Sequence, residues 1–248
     1  MDGGWAGWGA WSGCSSCTAC TSWDSCTACT HTRSRTYSPP HHGGQEGEGR
    51  EVGQLVQEEC CLGNSNPIGA GWKTVYNKSE EHKLVAGTKL ATVCVLSKDW
   101  RVTHEFRFTQ YRDGWSNIIQ LTLGGSNDQY GDRTPVIHAY LHNSTANDGL
   151  VFIASAVNGN INYESYSVLP PVGAWTTIAI SQTLEGGKYI YKITIGGKEV
   201  HAVENSQPKE FKAVKVYASN PWQEAQPGYI RNLVIETRLQ VKWWEVVR

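Results

Sequence analysis

The sequence predicts an all-β protein in which a small cysteine-rich module precedes a larger antiparallel sandwich of two sheets. Three observations predict this fold class. Only 18% of the 248 residues are charged while 26 are glycine, a balance of few helix formers and many turn formers. Seven of the eight cysteines fall within residues 1–61. From about residue 72 onward, apolar residues repeat with the period of two that is typical of strands.

Composition also divides the chain and excludes two classes of partner. Residues 1–61 carry seven acidic and three basic side chains, whereas residues 62–248 carry sixteen and nineteen, and the turn-rich segment 62–67 predicts the boundary between the two domains. The net charge of −1 leaves no basic excess to neutralise phosphates, so nucleic acid is not expected as a partner. No apolar run reaches the roughly 20 residues of a membrane helix, and membrane insertion is not expected.

Three tryptophans and two arginines in the first domain have matching spacings. Trp5, Trp8 and Trp11 recur every third residue among glycines, which favours an extended polyproline-like strand with about 9 Å between successive indoles. Arg33 and Arg35 would share one face of a β-strand, roughly 6.8 Å apart. A planar guanidinium fits between two rings, and the sequence therefore predicts one alternating Trp–Arg stack.

With these residues, the first domain resembles a thrombospondin type 1 repeat. The resemblance rests on Trp5-x-x-Trp8-x-x-Trp11-Ser12-x-Cys14-Ser15 followed by Arg33-x-Arg35. It implies an elongated, disulfide-bonded three-strand module that is extracellular and acts in adhesion or matrix binding. It also implies that Trp5 and Trp8 are candidates for C-mannosylation. The cysteine pattern departs from the family, and no fucosylation site carries over.

The cysteines leave two interpretations open. They are Cys14, Cys17, Cys20, Cys26, Cys29, Cys60, Cys61 and Cys94. A secreted protein would pair them as disulfides, whereas a metallothionein-like thiolate cluster is the alternative for the first five. Since the first domain holds an odd number, we predict a bridge from Cys60 or Cys61 to Cys94. A buried free thiol at Cys94 is the alternative to that bridge.

The second domain alternates clearly between apolar and polar residues. Val102, His104, Phe106 and Phe108 would share one face of a strand, and the Ile195-Gly196-Gly197-Lys198 segment predicts a tight hairpin. The order of a tryptophan strand at 175–180, a Gly-Gly hairpin and returning strands at 212–222 and 228–235 resembles a laminin-G or concanavalin-A-like jelly roll. That resemblance implies recognition of glycans or matrix proteins, in some members with calcium.

Polar and aromatic loops supply the candidate ligand-binding residues. Sugars stack on aromatic rings and share hydroxyl hydrogen bonds with Asn, Asp and Arg side chains. Three loops offer both kinds of group, and their candidates are Tyr111, Asp113, Trp115, Asn127, Asp128, Tyr130, Asp132, Arg133, Asn220 and Trp222. The oxygens of Asp128 and Asp132 are also candidate calcium ligands. The alternative is that these residues only serve turn geometry.

The sequence favours binding over catalysis. No strand carries the acidic pair at i and i+2 that a retaining glycosidase needs, and no cofactor motif is present. Asn77-Lys78-Ser79 and Asn143-Ser144-Thr145 are N-glycosylation sequons that agree with a secreted location. We therefore predict a secreted, non-catalytic protein that binds glycans or matrix components, with no resident cofactor other than calcium. A purely structural matrix protein and an atypical glycosidase are the alternatives.

Overall fold

The structure is a computed structural model, and it describes residues 4–5, 29–38, 53–61, 71–142 and 149–238. The chain divides into two compact units, Met1–Ile68 and Gly69–Arg248. The described residues contain strands and turns without a helix, as the composition predicts. Within these ranges there is accordingly no helix of the length and apolarity needed to cross a membrane.

The first unit contains a three-stranded antiparallel sheet in the order β1-β2-β3. Its strands are β1 (Gly4–Trp5), β2 (Cys29–Ser38) and β3 (Gly53–Cys61). Arg33 and Arg35 lie two residues apart on β2, while Trp8 and Trp11 fall outside the described residues. The Trp–Arg stack, the C-mannosylation of Trp5 and Trp8 and the disulfides of the first seven cysteines therefore stay predictions.

The second unit is a sandwich of two antiparallel sheets, which confirms the predicted fold class and is consistent with a jelly roll. One sheet has six strands in the order β11-β10-β9-β8-β15-β6, and the other has seven in the order β14-β13-β12-β7-β16-β4, with the short β5 beside β16. The strands are β4 (Trp72–Lys78), β5 (His82–Lys83), β6 (Lys89–Leu96), β7 (Asp99–Phe108), β8 (Gly114–Thr122), β9 (Val136–Leu141), β10 (Leu150–Val157), β11 (Asn160–Val168), β12 (Thr176–Glu185), β13 (Lys188–Ile195), β14 (Lys198–Glu204), β15 (Phe211–Tyr217) and β16 (Gly228–Arg238).

Alternation of side chains along each strand builds the core between the sheets. On β7, Val102, His104, Phe106 and Phe108 are buried, while the intervening residues are half-buried, as the period of two predicts. The core contains residues of both sheets, so the sheets pack face to face. Burial of each large apolar side chain contributes about 1.5–3 kcal/mol, and this core is the main source of stability in the unit.

A two-glycine turn closes the hairpin between β13 and β14. Gly196 and Gly197 have φ angles of 58° and 79°, which lie in the left-handed region that side chains with a Cβ avoid. The flanking residues Ile195 and Lys198 are directly paired. The predicted hairpin is therefore confirmed, and its glycines are required by the backbone rather than by a ligand.

Candidate functional site

Strand pairing gathers aromatic side chains on the outer side of the six-stranded sheet. Residues directly opposite each other on neighbouring strands share a face of the sheet. One row across the sheet contains Trp115 on β8, Tyr140 on β9, Leu150 on β10 and Val168 on β11. The next row contains Asn117, His138, Phe152 and Tyr166, and a third contains Gln120, Val136, Ala154 and Glu164. These three rows form the aromatic face.

The rings of this face contact one another without joining the core between the sheets. The Trp115 ring lies 4.8 Å from Tyr140 and 5.3 Å from Phe152, measured between centroids. Phe152 in turn lies 5.4 Å from Tyr166. Phe152 is buried with Val136 and Ala154 in a small apolar cluster that is separate from the main core. We call the cluster of Val136, Phe152 and Ala154 the floor of the face. The Trp115 and Tyr166 rings both contact Phe152 of this floor.

The two outermost rings are open to solvent. Trp115 is 49% exposed and Tyr166 is 52% exposed, although both are large apolar rings. Leu150 and Val168 of the same face are also exposed. Solvent-exposed clusters of apolar groups bordered by polar residues commonly mark binding surfaces.

Polar side chains border the aromatic face beside Tyr166. The Arg133 guanidinium donates hydrogen bonds to Asn162 Oδ1 and to the Ser126 carbonyl oxygen, the latter over 3.2 Å. Asn162 Nδ2 and the Tyr166 hydroxyl both donate to the Glu164 carboxylate. The hydrogen bond to Glu164 and burial raise the pKa of the Tyr166 phenol, so it remains protonated at neutral pH.

A buried polar network that includes Asn117 and Gln120 of the aromatic face connects the three loops that the sequence singled out. Asn117 Oδ1 accepts a hydrogen bond from the backbone N–H of Asn220 over 2.7 Å. Asn220 Nδ2 donates to Gln120 Oε1 over 2.5 Å, and Gln120 Nε2 donates to the Asp132 carbonyl oxygen over 2.7 Å. Asn117, Gln120, Asn220 and Asp132 are all at most 1% exposed. This network fixes the loops relative to β8 and holds the strand that carries Trp115.

His138, in the second row of the aromatic face, is buried and neutral. It is 2% exposed, its ring centroid is 6.0 Å from that of Trp115, and its Nδ1 lies 3.4 Å from Asn117 Nδ2. Burial, followed by the nearby positive charge of Arg133, lowers the pKa of His138 to about 3. The histidine therefore adds a neutral, flat surface to the floor rather than a charge.

The loop around Asp132 is a structural turn. Burial alone would raise the pKa of this carboxyl, but hydrogen bonds from the backbone N–H groups of Gly125, Asp128 and Gln129 and from the Thr122 hydroxyl bring the net shift below the usual value. The Asp132 carboxylate is thus occupied by the protein itself. In the part of the chain that the structure describes, no group of three or more His, Cys, Asp or Glu side chains is placed to hold a metal ion.

The remaining sequence candidates are spread over the surface. The Tyr111 hydroxyl donates to the Pro170 carbonyl oxygen over 3.2 Å, and the Tyr130 hydroxyl lies 3.1 Å from two carbonyl oxygens, so both phenols are used internally. Trp222 is 42% exposed and lies 6.2 Å from Tyr217, measured between ring centroids. The candidates at Asp113, Asn127 and Asp128 are not brought into the aromatic face rows.

Two covalent features fall partly within the described residues. Asn77 lies on β4 and is exposed, whereas Asn143 is outside the described residues. Cys94 lies on β6, is 6% exposed and is disulfide-bonded, so it is not the free thiol that was the alternative. The assignment of its partner to Cys60 or Cys61 stays a prediction.

The outer side of the seven-stranded sheet also carries aromatic rings, but arginines cover them. The Arg231 guanidinium lies 4.0 Å from the Trp175 ring centroid, and Arg107 lies 4.9 Å from Trp175 and 5.1 Å from Tyr229. Arg231 Nε is also 2.5 Å from a carboxylate oxygen of Glu105. We call Trp175, Tyr229, Arg107 and Arg231 the arginine-covered face.

Sequence reasoning found Trp115 and Arg133 but missed four residues of the aromatic face: Tyr140, Phe152, Tyr166 and the buried His138. Residues 151–154 form a continuous apolar run on β10, which lies between β9 and β11. However, a continuous apolar run does not reveal that Phe152 points away from the core. The usable signal was alternation at Glu164, Tyr166 and Val168 on β11, whose exposed positions alternate with half-buried ones.

Comparisons with known proteins find solved structures that align with this chain at low identity and low TM-score. No family model matches the chain, and no curated protein matches it. The carbohydrate recognition domain of Emp47p aligns at 10% identity with a TM-score of 0.39, covering 71% of this chain and 91% of that one. The CBM40 module of Ruminococcus gnavus IT-sialidase, bound to α2,3-sialyllactose, aligns at 11% identity with a TM-score of 0.39, covering 68% and 98%. The carbohydrate-binding module CBM66 from Bacillus subtilis aligns at 14% identity with a TM-score of 0.35, covering 68% and 96%. At these values the likenesses carry no argument about what this chain binds.

Proposed function

We propose that this protein is a non-catalytic glycan-binding protein whose aromatic face is the binding surface. The observation that carries the proposal is the pair of exposed rings, Trp115 and Tyr166, on either side of the buried Phe152 floor. Rings of this kind offer large, rigid contact area for the apolar faces of sugar rings. The carboxylate, amide and guanidinium groups of Glu164, Asn162 and Arg133 lie alongside, where they can bond hydroxyl groups.

The arrangement of carboxylates supports binding without catalysis. Glycosidases of the common mechanisms need two carboxyl groups that flank the scissile bond. Glu164 is the one carboxylate in the three rows of the aromatic face, and it already accepts hydrogen bonds from Tyr166 and Asn162. A sugar held on this face would therefore meet a single, engaged carboxylate.

A glycan array tests this function. Wild-type protein should bind a defined set of glycans, and Trp115→Ala should lower the affinity at least roughly tenfold, because removal of a central tryptophan commonly has such an effect. Trp222→Ala is the matched control, since Trp222 is similarly exposed but lies outside the three rows. An array without any bound glycan, or equal binding by the Trp115 variant, contradicts the proposal.

We further propose that the protein acts outside the cell. The disulfide at Cys94 and the exposed sequon at Asn77 support this location, because disulfides and N-glycans both form in the secretory pathway. Protein expressed through a eukaryotic secretory pathway should lose mass on enzymatic removal of N-glycans, and Asn77→Gln should reduce that loss. An unchanged loss in the variant would show that Asn77 is not a glycosylation site.

A further inference from the structure

The two exposed rings of the aromatic face lie on either side of Phe152, 5.3 and 5.4 Å from its ring centroid, so their own centroids are less than about 11 Å apart. Trp115 lies on β8 and Tyr166 on β11, so two strands separate them. Three strand spacings correspond to about 14 Å between their backbones. A single sugar ring is about as large as one aromatic six-membered ring, and it cannot stack on both side chains. A ligand that uses both rings must therefore be a chain of sugar residues.

The rows of the sheet set the direction of such a chain. Tyr140 on β9 and Phe152 on β10 lie between the two exposed rings. Because Trp115 contacts both, these side chains form a continuous aromatic surface across the strands. The strand β11 is the edge of the six-stranded sheet. A chain that crosses from β8 to β11 would consequently continue past this edge.

The charges on the face complement a neutral ligand. The Arg133 guanidinium donates two of its N–H groups to Asn162 Oδ1 and the Ser126 carbonyl oxygen, and it lies near the negative charge of Glu164. Glu164 is bound by Tyr166 and Asn162. The positive charge of Arg133 beside the three rows is thus balanced by Glu164 within them, and an anionic sugar would lose hydration there without meeting a net positive charge.

We propose, building on the glycan-binding function above, that the ligand of the aromatic face is a neutral oligosaccharide chain. The chain crosses the strands from β8 to β11 and stacks on Trp115 and Tyr166 at the same time. Recognition thus addresses an extended stretch of a glycan rather than one terminal sugar. Trp115, which packs against both Tyr140 and Phe152, forms the primary contact, and Tyr166 extends the binding surface to the edge of the sheet.

Calorimetry with graded probes tests this inference. The probes are neutral cello-, xylo-, manno-, laminari- and chito-oligosaccharides from the monosaccharide to the hexasaccharide. For the probe series that binds, affinity should rise at least roughly tenfold with chain length and then level off. Tyr166→Ala should remove this gain and leave the affinity for the shortest binding probe unchanged. Tyr166→Phe should retain the gain, because it keeps the ring. Tyr229→Ala on the arginine-covered face is the control and should bind like wild type.

The results separate this inference from the function on which it rests. A monosaccharide that binds as tightly as the hexasaccharide, or a chain-length gain that persists in Tyr166→Ala, overturns the inference while glycan binding stands. Array ligands that are exclusively anionic, with no binding of the neutral linear probes, overturn it as well. Failure of the wild-type protein to bind any glycan on the array removes the proposed function itself.

Discussion

The outer faces of the two sheets carry similar aromatic rings in opposite circumstances. On the six-stranded sheet, Trp115 is 49% exposed and its neighbours are other rings. On the seven-stranded sheet, Trp175 lies against the guanidinium groups of Arg107 and Arg231, 4.9 and 4.0 Å from its centroid. The Trp175 ring already contacts guanidinium groups of its own chain. The exposed part of the Trp115 ring is instead accessible to another molecule. The difference agrees with the function proposed above, in which the aromatic face binds a ligand and the arginine-covered face contributes to stability.

Ion pairs reinforce the difference between the faces. Arg231 pairs with Glu105, Arg107 with Glu81 and Arg101 with Glu236, all on the side of the seven-stranded sheet. Exposed pairs of this kind contribute little individually, about 0–1 kcal/mol each. Their combined effect is to hold each guanidinium flat and in place over the rings. Such a surface has few unoccupied groups to offer a ligand.

Acid should produce the largest change, and it acts on a buried histidine in each sheet. Burial lowers the pKa of His104 on β7 and of His138 on β9 to about 3, whereas an unfolded chain has a histidine pKa of about 6.5. Between these values the unfolded state binds protons that the folded state does not. Stability is therefore complete above about pH 6.5 and falls as the pH decreases, by about 2 kcal/mol per histidine at pH 5.

Denaturant titrations between pH 7.5 and 5 measure this effect. His104→Leu should reduce the slope of unfolding free energy against pH by about half, because it removes one of the two buried histidines. The substitution breaks no hydrogen bond, since the ring nitrogens of His104 have no hydrogen-bond partner. The same variant should leave glycan binding unchanged, since His104 is in the core and not in the aromatic face. An unaltered slope would show that His104 accepts a proton in the folded state.

The smallest effect is expected on the arginine-covered face. Arg231→Lys keeps the positive charge near Glu105 but removes the flat guanidinium from the Trp175 ring. We expect a loss of about 0.5–1 kcal/mol in the free energy of unfolding and no change in glycan binding. Chemical denaturation and the array measure the two quantities in parallel. Reduced glycan binding in this variant would mean that the second face also contributes to recognition.

Sequence alone predicted the sandwich but only part of the aromatic face. Alternation on β7 placed Phe106 and Phe108 in the core, because one strand determines which of its own residues share a face. Trp115 and Arg133 were found because aromatic and polar residues occur close together in loops. Tyr140 and Tyr166 were missed because the face arises from cross-strand register, which depends on which strands pair and cannot be read from one strand.

The loop around Asp132 shows the opposite case. Its Asn, Asp and Gly residues suit a binding loop and a turn equally well, so composition left both interpretations open. The structure shows that three backbone N–H groups bind the Asp132 carboxylate. The Asp132 carboxylate therefore serves the geometry of the loop, whose Ser126 carbonyl oxygen accepts a hydrogen bond from Arg133, and ligand binding by the other loop residues stays a prediction.

The central claim is that Trp115, the exposed ring, binds the glycan, whereas Trp175, the arginine-covered ring, stabilises the fold. One paired measurement tests this claim most directly. Trp115→Ala and Trp175→Ala are compared for affinity to a glycan identified on the array and for thermal stability. We predict that Trp115→Ala loses affinity at least roughly tenfold, and that Trp175→Ala retains affinity but melts several degrees lower. Equal affinities in the two variants, or loss of affinity in Trp175→Ala alone, would contradict the account.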